Sequence, residues 1–126
     1  MANSPPRRFC FLVIEGEPAQ GLSTRKLLIE TAKHNVITAY SGKEGIEMFD
    51  RFPNVDAVVI DSQLRDMDCE KVSGYVKSKD PNIIVIALSP REELPRNACK
   101  SDRVVLAHDP AALLSVLEEL GSSATL

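Results

Sequence analysis

Five short apolar runs recur along the chain, and stretches with polar residues at helical spacing separate them. Runs of this length with few interior charges are typical of strands that are buried on both faces of a sheet. The stretches between them place apolar residues three or four positions apart, which predicts amphipathic helices. The predicted strands are 9–15, 35–41, 55–61, 82–89 and 103–107, and the predicted helices are 17–35, 42–52, 68–80, 91–100 and 109–120.

The last two predicted helices carry opposite signals. The last helix has Asp109 as a cap, Pro110 in its first turn and Gly121 just beyond its end, and each residue type suits that position. The fourth helix has Pro95 in its middle, where a proline removes a hydrogen bond and costs on the order of 3 kcal/mol. We therefore expect a firm last helix and a short or frayed fourth helix.

Strands that alternate with helices predict a parallel sheet with helices on both faces, which is an α/β fold. The chain has 126 residues, a length typical of one domain. We place that domain at residues 9–121, with flexible tails at 1–8 and 122–126. Ligands of such sheets bind beyond the carboxyl ends of the strands, so residues at those ends are the candidates for function.

Composition and charge disfavour several classes of function. The chain is 44% hydrophobic and 26% charged, with a formal net charge of −3. Unaided nucleic-acid binding needs a clustered basic surface, which this balance does not favour. No apolar run approaches the ~20 residues of a membrane span, so we expect a cytoplasmic protein. Cys10, Cys69 and Cys99 are odd in number and widely spaced, which favours reduced thiols over a disulfide framework.

An acid ends the third predicted strand. The apolar run 57–60 leads directly to Asp61, and a polar, turn-like segment follows. Asp61 has two interpretations, since it could cap the turn by accepting backbone hydrogen bonds or serve as a functional carboxylate. Polar residues end two other strands in the same way, with Glu15 after the first strand and Ser89 after the fourth.

Four segments carry a resemblance to a known family. They are "FLVIEGEP" at the first strand, "DAVVIDSQLRDMD" at the third, "IIVIALSPREE" at the fourth and "HDPAALLSVLEEL" at the last helix. In their order and spacing they resemble the receiver domain of bacterial two-component response regulators, from about Phe9 to Leu120. The resemblance implies a flavodoxin-like, three-layer fold with five parallel strands in the order 2-1-3-4-5.

The resemblance also implies roles for the residues at the strand ends. Asp61 falls at the position that accepts a phosphoryl group, and Ser89 falls at the position of the switch hydroxyl. Glu15, Asp61 and the backbone carbonyl of Gln63 fall where the family holds Mg²⁺. This ion prefers oxygen ligands and bridges phosphate oxygens, so it relieves the repulsion between a carboxylate and a phosphoryl group.

Several positions depart from the family's pattern. Gly16 stands where a second acid is usual, which predicts weak Mg²⁺ binding, although Glu17 offers another carboxylate nearby. Leu106 stands at the place of the family's lysine, and a shift of one residue offers His108 but no lysine. The aromatic switch position falls near Arg103, and the segment between the fourth and fifth strands is several residues shorter than usual.

Charged residues near the site have alternative interpretations. Arg91 and Arg103 are either solvated or internal counter-ions of Asp61. In the loop after Asp61, Arg65 and Asp66 stand where Pro-Gly is common in the family. Cationic side chains near Asp61 would offset its charge in the absence of the family's lysine.

These departures weaken the phosphorylation switch that the resemblance implies. We predict a signalling domain, not an enzyme, which contacts proteins such as a histidine kinase or a downstream signalling protein. The main alternative is a working receiver that is phosphorylated on Asp61 with Mg²⁺. A small flavodoxin-fold enzyme is disfavoured because no Gly-rich phosphate loop follows the first strand. Surplus apolar area on the last helix would suit a homodimer contact.

Overall fold

The computed structural model describes residues 9–16, 29–30, 33–90, 99–107 and 109–124. Five parallel strands form one sheet in the order β2-β1-β3-β4-β5, which confirms the predicted fold class and strand order. The strands are β1 (Cys10–Ile14), β2 (Asn35–Ala39), β3 (Ala57–Asp61), β4 (Ile84–Ser89) and β5 (Arg103–Leu106). The helices described in full are α1 (Gly42–Arg51), α2 (Cys69–Lys79) and α3 (Pro110–Ala124).

Alternate residues of the strands supply two hydrophobic layers, because successive side chains of a strand point to opposite faces of the sheet. On one face Val58 and Ile60 belong to a cluster with Val72 and Val76 of α2. On the other face Val59 belongs to a second cluster, which includes Leu113 and Leu117 of α3. The central strands are therefore apolar on both faces, as parallel strands between helical layers require.

Helix α1 begins at a polar cap that its sequence encodes. The Ser41 hydroxyl accepts a hydrogen bond from the Glu44 N–H at 3.0 Å, and the Glu44 carboxylate accepts one from the Tyr40 N–H at 3.0 Å. A Ser followed three residues later by Glu is a common start of a helix, because it pairs N–H groups that the helix leaves unbonded. The predicted helix over 42–52 is present and ends one residue earlier, at Arg51.

Helix α3 is longer than predicted, and two other predicted helices lie mostly outside the described residues. Helix α3 continues through Gly121 to Ala124, past the predicted end at Leu120, because glycine after a helix is a preference and not a stop signal. The predicted fourth helix, including Pro95, lies outside the described residues except for 99–100, which are not helical. Only residues 29–30 of the predicted first helix are described as helical.

The prediction of three reduced thiols is wrong for two of them. Cys69 and Cys99 form a disulfide, with their Cα atoms 5.2 Å apart, whereas Cys10 is free. The residues lie 30 positions apart in the chain, and they meet because the connection into β5 packs against the start of α2. Sequence spacing carries no signal of that packing.

None of the helices in the described part of the chain combines the length and the apolar character that crossing a bilayer requires.

Candidate functional site

The carboxyl ends of three neighbouring strands gather the predicted site residues at one edge of the sheet. Ile14 of β1 is in register with Ile60 of β3, so Glu15 follows β1 beside Asp61, the last residue of β3. Asp61 is in register with Leu88 of β4, and Ser89 comes next. The parallel arrangement thus brings Glu15, Asp61 and Ser89 to the edge where ligands of such folds bind.

The Asp61 side chain stabilises the turn that follows it. The Gln63 N–H donates to Asp61 Oδ1 at 2.9 Å, a pattern in which an aspartate orders the backbone two residues later. The Ser62 N–H donates to the Leu88 carbonyl at 2.9 Å, which attaches the start of the loop to β4. Asp61 is half-buried. The capping interpretation of Asp61 therefore describes a real contact, and that contact leaves the carboxylate fixed at the strand end.

Glu15 is one of the few polar residues in the interior. Its side chain is only 6% exposed, and its N–H donates to the Ala39 carbonyl of β2 at 2.8 Å. Charged groups are costly to bury without compensating partners, so a buried glutamate at a strand end is a candidate for function. The first strand thus leads to a buried acid at the same edge as Asp61.

Gly16 faces the loop that follows Asp61. A Cβ atom at Gly16 would lie 3.4 Å from the Gln63 carbonyl oxygen and 3.6 Å from Leu64 Cα, which are ordinary contact distances. The space therefore accepts a Cβ atom, and a side chain at this position would start beside the Gln63 carbonyl. The place that the resemblance assigns to a second acid is spatially next to the backbone oxygen that it assigns to the metal.

The donors at this edge suit a hard cation in kind but are few in number. Glu15 and Asp61 offer carboxylate oxygens and Gln63 offers a carbonyl oxygen, which are the ligand types that Mg²⁺ takes. Among the described residues, no group of three or more His, Cys, Asp or Glu side chains is arranged to hold a metal ion. Glu17, the nearby acid considered above, lies outside those residues. Water would have to complete the ligand set.

Ser89 and Leu106 end two neighbouring strands. Ser89 is fully buried, its carbonyl accepts the Ala107 N–H at 2.7 Å, and it is in register with Leu106 of β5. An uncharged side chain thus stands beside the serine, at the place that the resemblance assigns to the family's lysine. His108 lies outside the described residues, so the alternative with a shift of one residue is not addressed by them.

Arg103 does not serve Asp61. It begins β5, at the opposite end of the strand from Leu106, and its guanidinium contacts the Glu119 carboxylate of α3 at 2.5 Å. The interpretation of Arg103 as an internal counter-ion is therefore wrong, because the strand direction points it away from the site. Arg91, the other proposed counter-ion, lies outside the described residues.

Asp66 has a role that the sequence did not predict. Its carboxylate accepts hydrogen bonds from the Gly42 and Lys43 N–H groups, at 2.8 and 2.9 Å, and so caps the start of α1. The Gly42 N–H holds the pKa of Asp66 below its usual value of 3.8, with a smaller contribution from Lys43. Next to it, Met67 occupies the space that a side chain at position 42 would need.

These contacts attach the loop that follows Asp61 to the start of α1. Asp66 and Met67 attach the loop after Asp61 to α1, so the loop is fixed at both ends, by Gln63 at Asp61 and by Asp66 at the helix. Nothing local in the sequence indicates this contact, since Gly42 lies 24 residues earlier in the chain.

Several solved structures that are similar to this chain are receiver domains. A response regulator receiver domain protein from Clostridium thermocellum is 20% identical, with a TM-score of 0.78 over 91% of this chain and 95% of that chain. A receiver domain (CheY-like) from Methylobacillus flagellatus is 21% identical, with a TM-score of 0.78 over 90% and 99%. The signal receiver domain of an HD domain-containing protein from Pseudomonas fluorescens Pf-5 is 17% identical, with a TM-score of 0.79 over 98% and 93%.

The likeness to these structures confirms the resemblance at the level of the fold. No protein-family model matches the sequence, and a search of curated proteins finds no match. At identities near 20% the agreement concerns the path of the chain. Assignment of function must come from the residues at the site.

Proposed function

We propose that this protein is a signalling domain of the receiver type that acts through protein–protein contact, with a weakened phosphorylation switch. One observation carries the proposal: the strand ends keep Glu15, Asp61 and Ser89 together, while Gly16 and Leu106 stand where an acid and a lysine would complete the site. The acceptor is retained, and the groups that stabilise the accepted phosphoryl group are reduced.

The physical reason is charge. A phosphoryl group adds close to two negative charges and needs hydrogen-bond donors or cations to hold it. Ser89 offers a hydroxyl at this edge, but Leu106 beside it brings no charge. A modification can shift an equilibrium between two states only by its differential interaction with them. With fewer groups to hold the phosphoryl oxygens, the shift between an inactive and an active state is small.

Mg²⁺ belongs to the proposal as a weak cofactor, held by Glu15, Asp61 and the Gln63 carbonyl. When bound, the ion supplies positive charge that offsets repulsion between the Asp61 carboxylate and an incoming phosphoryl group. The chain's own contribution is to position the carboxylates, through the Gln63 N–H at Asp61 and the burial of Glu15. Gly16 removes one carboxylate and its charge from this set.

The partners follow from the same reasoning. We assign contact with a histidine kinase or a downstream signalling protein, in the cytoplasm, and no catalytic turnover of a metabolite. The signalling unit is the domain at residues 9–121. Pairing of two copies through α3 is an alternative mode of contact, supported by the partly buried apolar residues Val116 and Leu120 on that helix.

A working receiver is the second candidate. The observation that favours it is the fixed loop after Asp61, in which the Gln63 N–H contacts the carboxylate and the Gln63 carbonyl lies beside position 16. That geometry places a backbone oxygen where a metal-assisted site would use one. The two candidates differ in how fast Asp61 accepts a phosphoryl group and in how much Mg²⁺ the acceptance requires.

The test incubates the protein with acetyl phosphate, with and without Mg²⁺, and follows the intact mass. We expect slow or undetectable modification, lost entirely in Asp61→Asn. Gly16→Asp should increase both the rate and the affinity for Mg²⁺, because it adds a carboxylate on a side chain whose Cβ would lie 3.4 Å from the Gln63 carbonyl oxygen. Gly16→Asn is the matched control, since it has the same shape without the charge.

Two results would decide for the working receiver instead. One is rapid Mg²⁺-dependent modification of the unaltered protein with no gain from Gly16→Asp. The other is loss of partner binding in both Asp61→Asn and Asp61→Ala while each variant remains folded. The weakened switch predicts that Asp61→Asn leaves partner binding nearly intact.

A further inference from the structure

A covalent link joins the start of α2 to the connection that leads into β5. Cys69 is the first residue of α2, and Cys99 lies shortly before β5. Their Cα atoms are 5.2 Å apart, within the range of about 4.4–6.8 Å that disulfides require. Because 30 residues separate the cysteines in the chain, the link fixes a tertiary contact and not a local turn.

Non-covalent contacts hold the same two parts together. The Lys100 N–H donates to Ser73 Oγ at 2.9 Å, and Lys77 Nζ contacts the Asp102 carboxylate at 2.8 Å. Ser73 and Lys77 follow Cys69 at intervals of one helical turn along the same side of α2. None of these contacts uses sulfur, so they hold the two cysteines near each other when the disulfide is open. Closure is then an intramolecular step between preplaced groups.

The cysteines differ in exposure, which sets the order of reaction. Cys69 is only 3% exposed, whereas Cys99 is half-buried, so a small reactant reaches Cys99 first. Cys10 is also half-buried, but burial and then the nearby Asp56 charge raise the pKa of its thiol. A raised pKa lowers the fraction of thiolate, which is the reactive form. The structure therefore separates one reactive pair from a less reactive third cysteine.

We propose that Cys69 and Cys99 form a reversible thiol–disulfide site that exchanges with low-molecular-weight disulfides and thiols. In oxidation, the Cys99 thiolate attacks a small disulfide, forms a mixed disulfide and releases one small thiolate. The Cys69 thiolate then attacks Cys99 Sγ, and the second small thiolate leaves as the protein disulfide forms. The protein loses two electrons, the small disulfide gains them, and the two cysteine protons end on the released thiols.

Oxidation links the segment 99–102 covalently to the first residue of α2. The loop that follows Asp61 ends at that same residue. In the reduced protein the segment keeps the contacts of Lys100 and Asp102 with α2 and the hydrogen bonds between Asp102 and Val85 of β4, but loses its covalent link. In a reducing compartment, protein disulfides are usually transient and redox-sensing, which suits a pair that opens and closes without unfolding. The exchange chemistry is independent of whether Asp61 accepts a phosphoryl group.

The experiment equilibrates the folded full chain with mixtures of reduced and oxidised glutathione, then alkylates free thiols and measures the intact mass. We expect conversion between a form with three adducts and a form with one. Hydrogen exchange gives a second reading, in which the Lys100 amide exchanges faster in the reduced form. The Ser62 amide, bonded to the Leu88 carbonyl, should exchange equally in both forms.

Two variants sharpen the result. Cys10→Ser removes the cysteine outside the pair and should keep the full transition. Cys69→Ala should stop at a glutathione mixed disulfide on Cys99. Persistence of three reactive thiols under oxidising mixtures would overturn the proposal, and so would a disulfide that opens only in denaturant. If Cys69→Ala fails to fold by circular dichroism, the titration of the unaltered chain still decides.

Discussion

The two strands on either side of β4 are held in place by different means. In β3 the run from Ala57 to Ile60 is fully buried, and only Asp61 at its end is half-exposed. In β5, Arg103 and Val104 are exposed, and only Val105 is buried. Strand β3 is therefore fixed by the two hydrophobic layers, whereas β5 pairs with β4 on one side only and adds contacts from outside the sheet.

Those outer contacts of β5 are polar or covalent. Asp102 precedes the strand and contacts Lys77 of α2, Arg103 contacts Glu119 of α3, and the disulfide of Cys99 holds the connection before them. Contacts of this kind depend on protonation, salt and redox state, unlike burial of apolar area. The site end of β3 is thus held by buried apolar side chains, whereas the contacts at β5 are the ones that pH, salt and redox conditions can weaken.

The two strands should differ most in how much stability is lost when a valine is shortened to alanine. Val58→Ala in β3 should lower the free energy of unfolding by about 2–3 kcal/mol, because Val58 is fully buried between β1 and α2 and the lost methyl groups leave a void. Val104→Ala removes the same groups in β5, where the side chain is 44% exposed, and should cost less than about 0.5 kcal/mol. Urea unfolding measures both.

This pair tests the comparison directly, since the chemical change is identical. Similar losses at both positions would mean that β5 is packed as firmly as β3 and that a layer covers Val104 in solution. The slope of the unfolding curve should stay constant, so that the midpoints report stability alone.

Loss of the Asp102 contacts should cause the next largest decrease in the free energy of unfolding. Its carboxylate accepts hydrogen bonds from Lys77 Nζ and from the Val85 N–H, each at 2.8 Å. Asp102→Ala leaves both donors without this acceptor and should cost about 1–2 kcal/mol, allowing for partial exposure. Glu119→Gln is the control at the other polar contact of β5, and as an exposed pair it should cost at most about 1 kcal/mol.

The effect of Asp102 should also depend on pH. Burial raises its pKa, but the hydrogen bonds from Lys77 and Val85 outweigh burial and hold the pKa below 3.8. A carboxyl with a lowered folded pKa stabilises the fold above its unfolded pKa and loses that contribution as pH falls through the folded value. The difference in the free energy of unfolding between the unaltered protein and Asp102→Asn should be constant from pH 7 to about 5 and shrink below about 4. A difference that grows on acidification would contradict this assignment.

The contrast between the strands also explains what the sequence could predict. The apolar runs of β1, β3 and β4 are readable because a strand buried on both faces must be apolar throughout. The acid at Asp61 stands out against such a run, and parallel strands bring Glu15 and Ser89 to the same edge. The α/β class and the strand-end positions of these residues therefore follow from local pattern, whereas the strand order came from the resemblance to receiver domains.

The contacts around β5 and in the loop after Asp61 could not be predicted from the local sequence pattern. The disulfide, Asp66 at α1 and Arg103 at Glu119 each join residues at least 16 positions apart, and charged residues and cysteines give no periodic signal of their partners. For Arg103 the sequence left two interpretations open, and its position at the start of the strand decides against the counter-ion role. Such contacts need the tertiary arrangement to be known first.

The smallest expected loss of stability concerns Asp66 and Asp68, two acids in the loop that follows β3. Asp66 caps α1 through Gly42 and Lys43, whereas Asp68, two residues later, makes no side-chain cap at the start of α2. Asp66→Ala should lower stability by about 1 kcal/mol. Asp68→Ala should lower it by a few tenths, because only a weak interaction with the helix dipole is lost.

At low pH the stabilisation that Asp66 contributes should disappear. The Gly42 N–H lowers the pKa of Asp66 in the folded state, so its contribution is present above the unfolded pKa and disappears as pH falls through the folded value. Urea midpoints of the unaltered protein and Asp66→Ala should therefore converge below about pH 4. Hydrogen exchange at the Gln63 amide, which donates to Asp61, gives the local reading. If Asp66→Ala leaves that amide as protected as before, the loop is fixed by Asp61 and Met67 without help from the cap, and the rigidity of the site end rests on β3 alone.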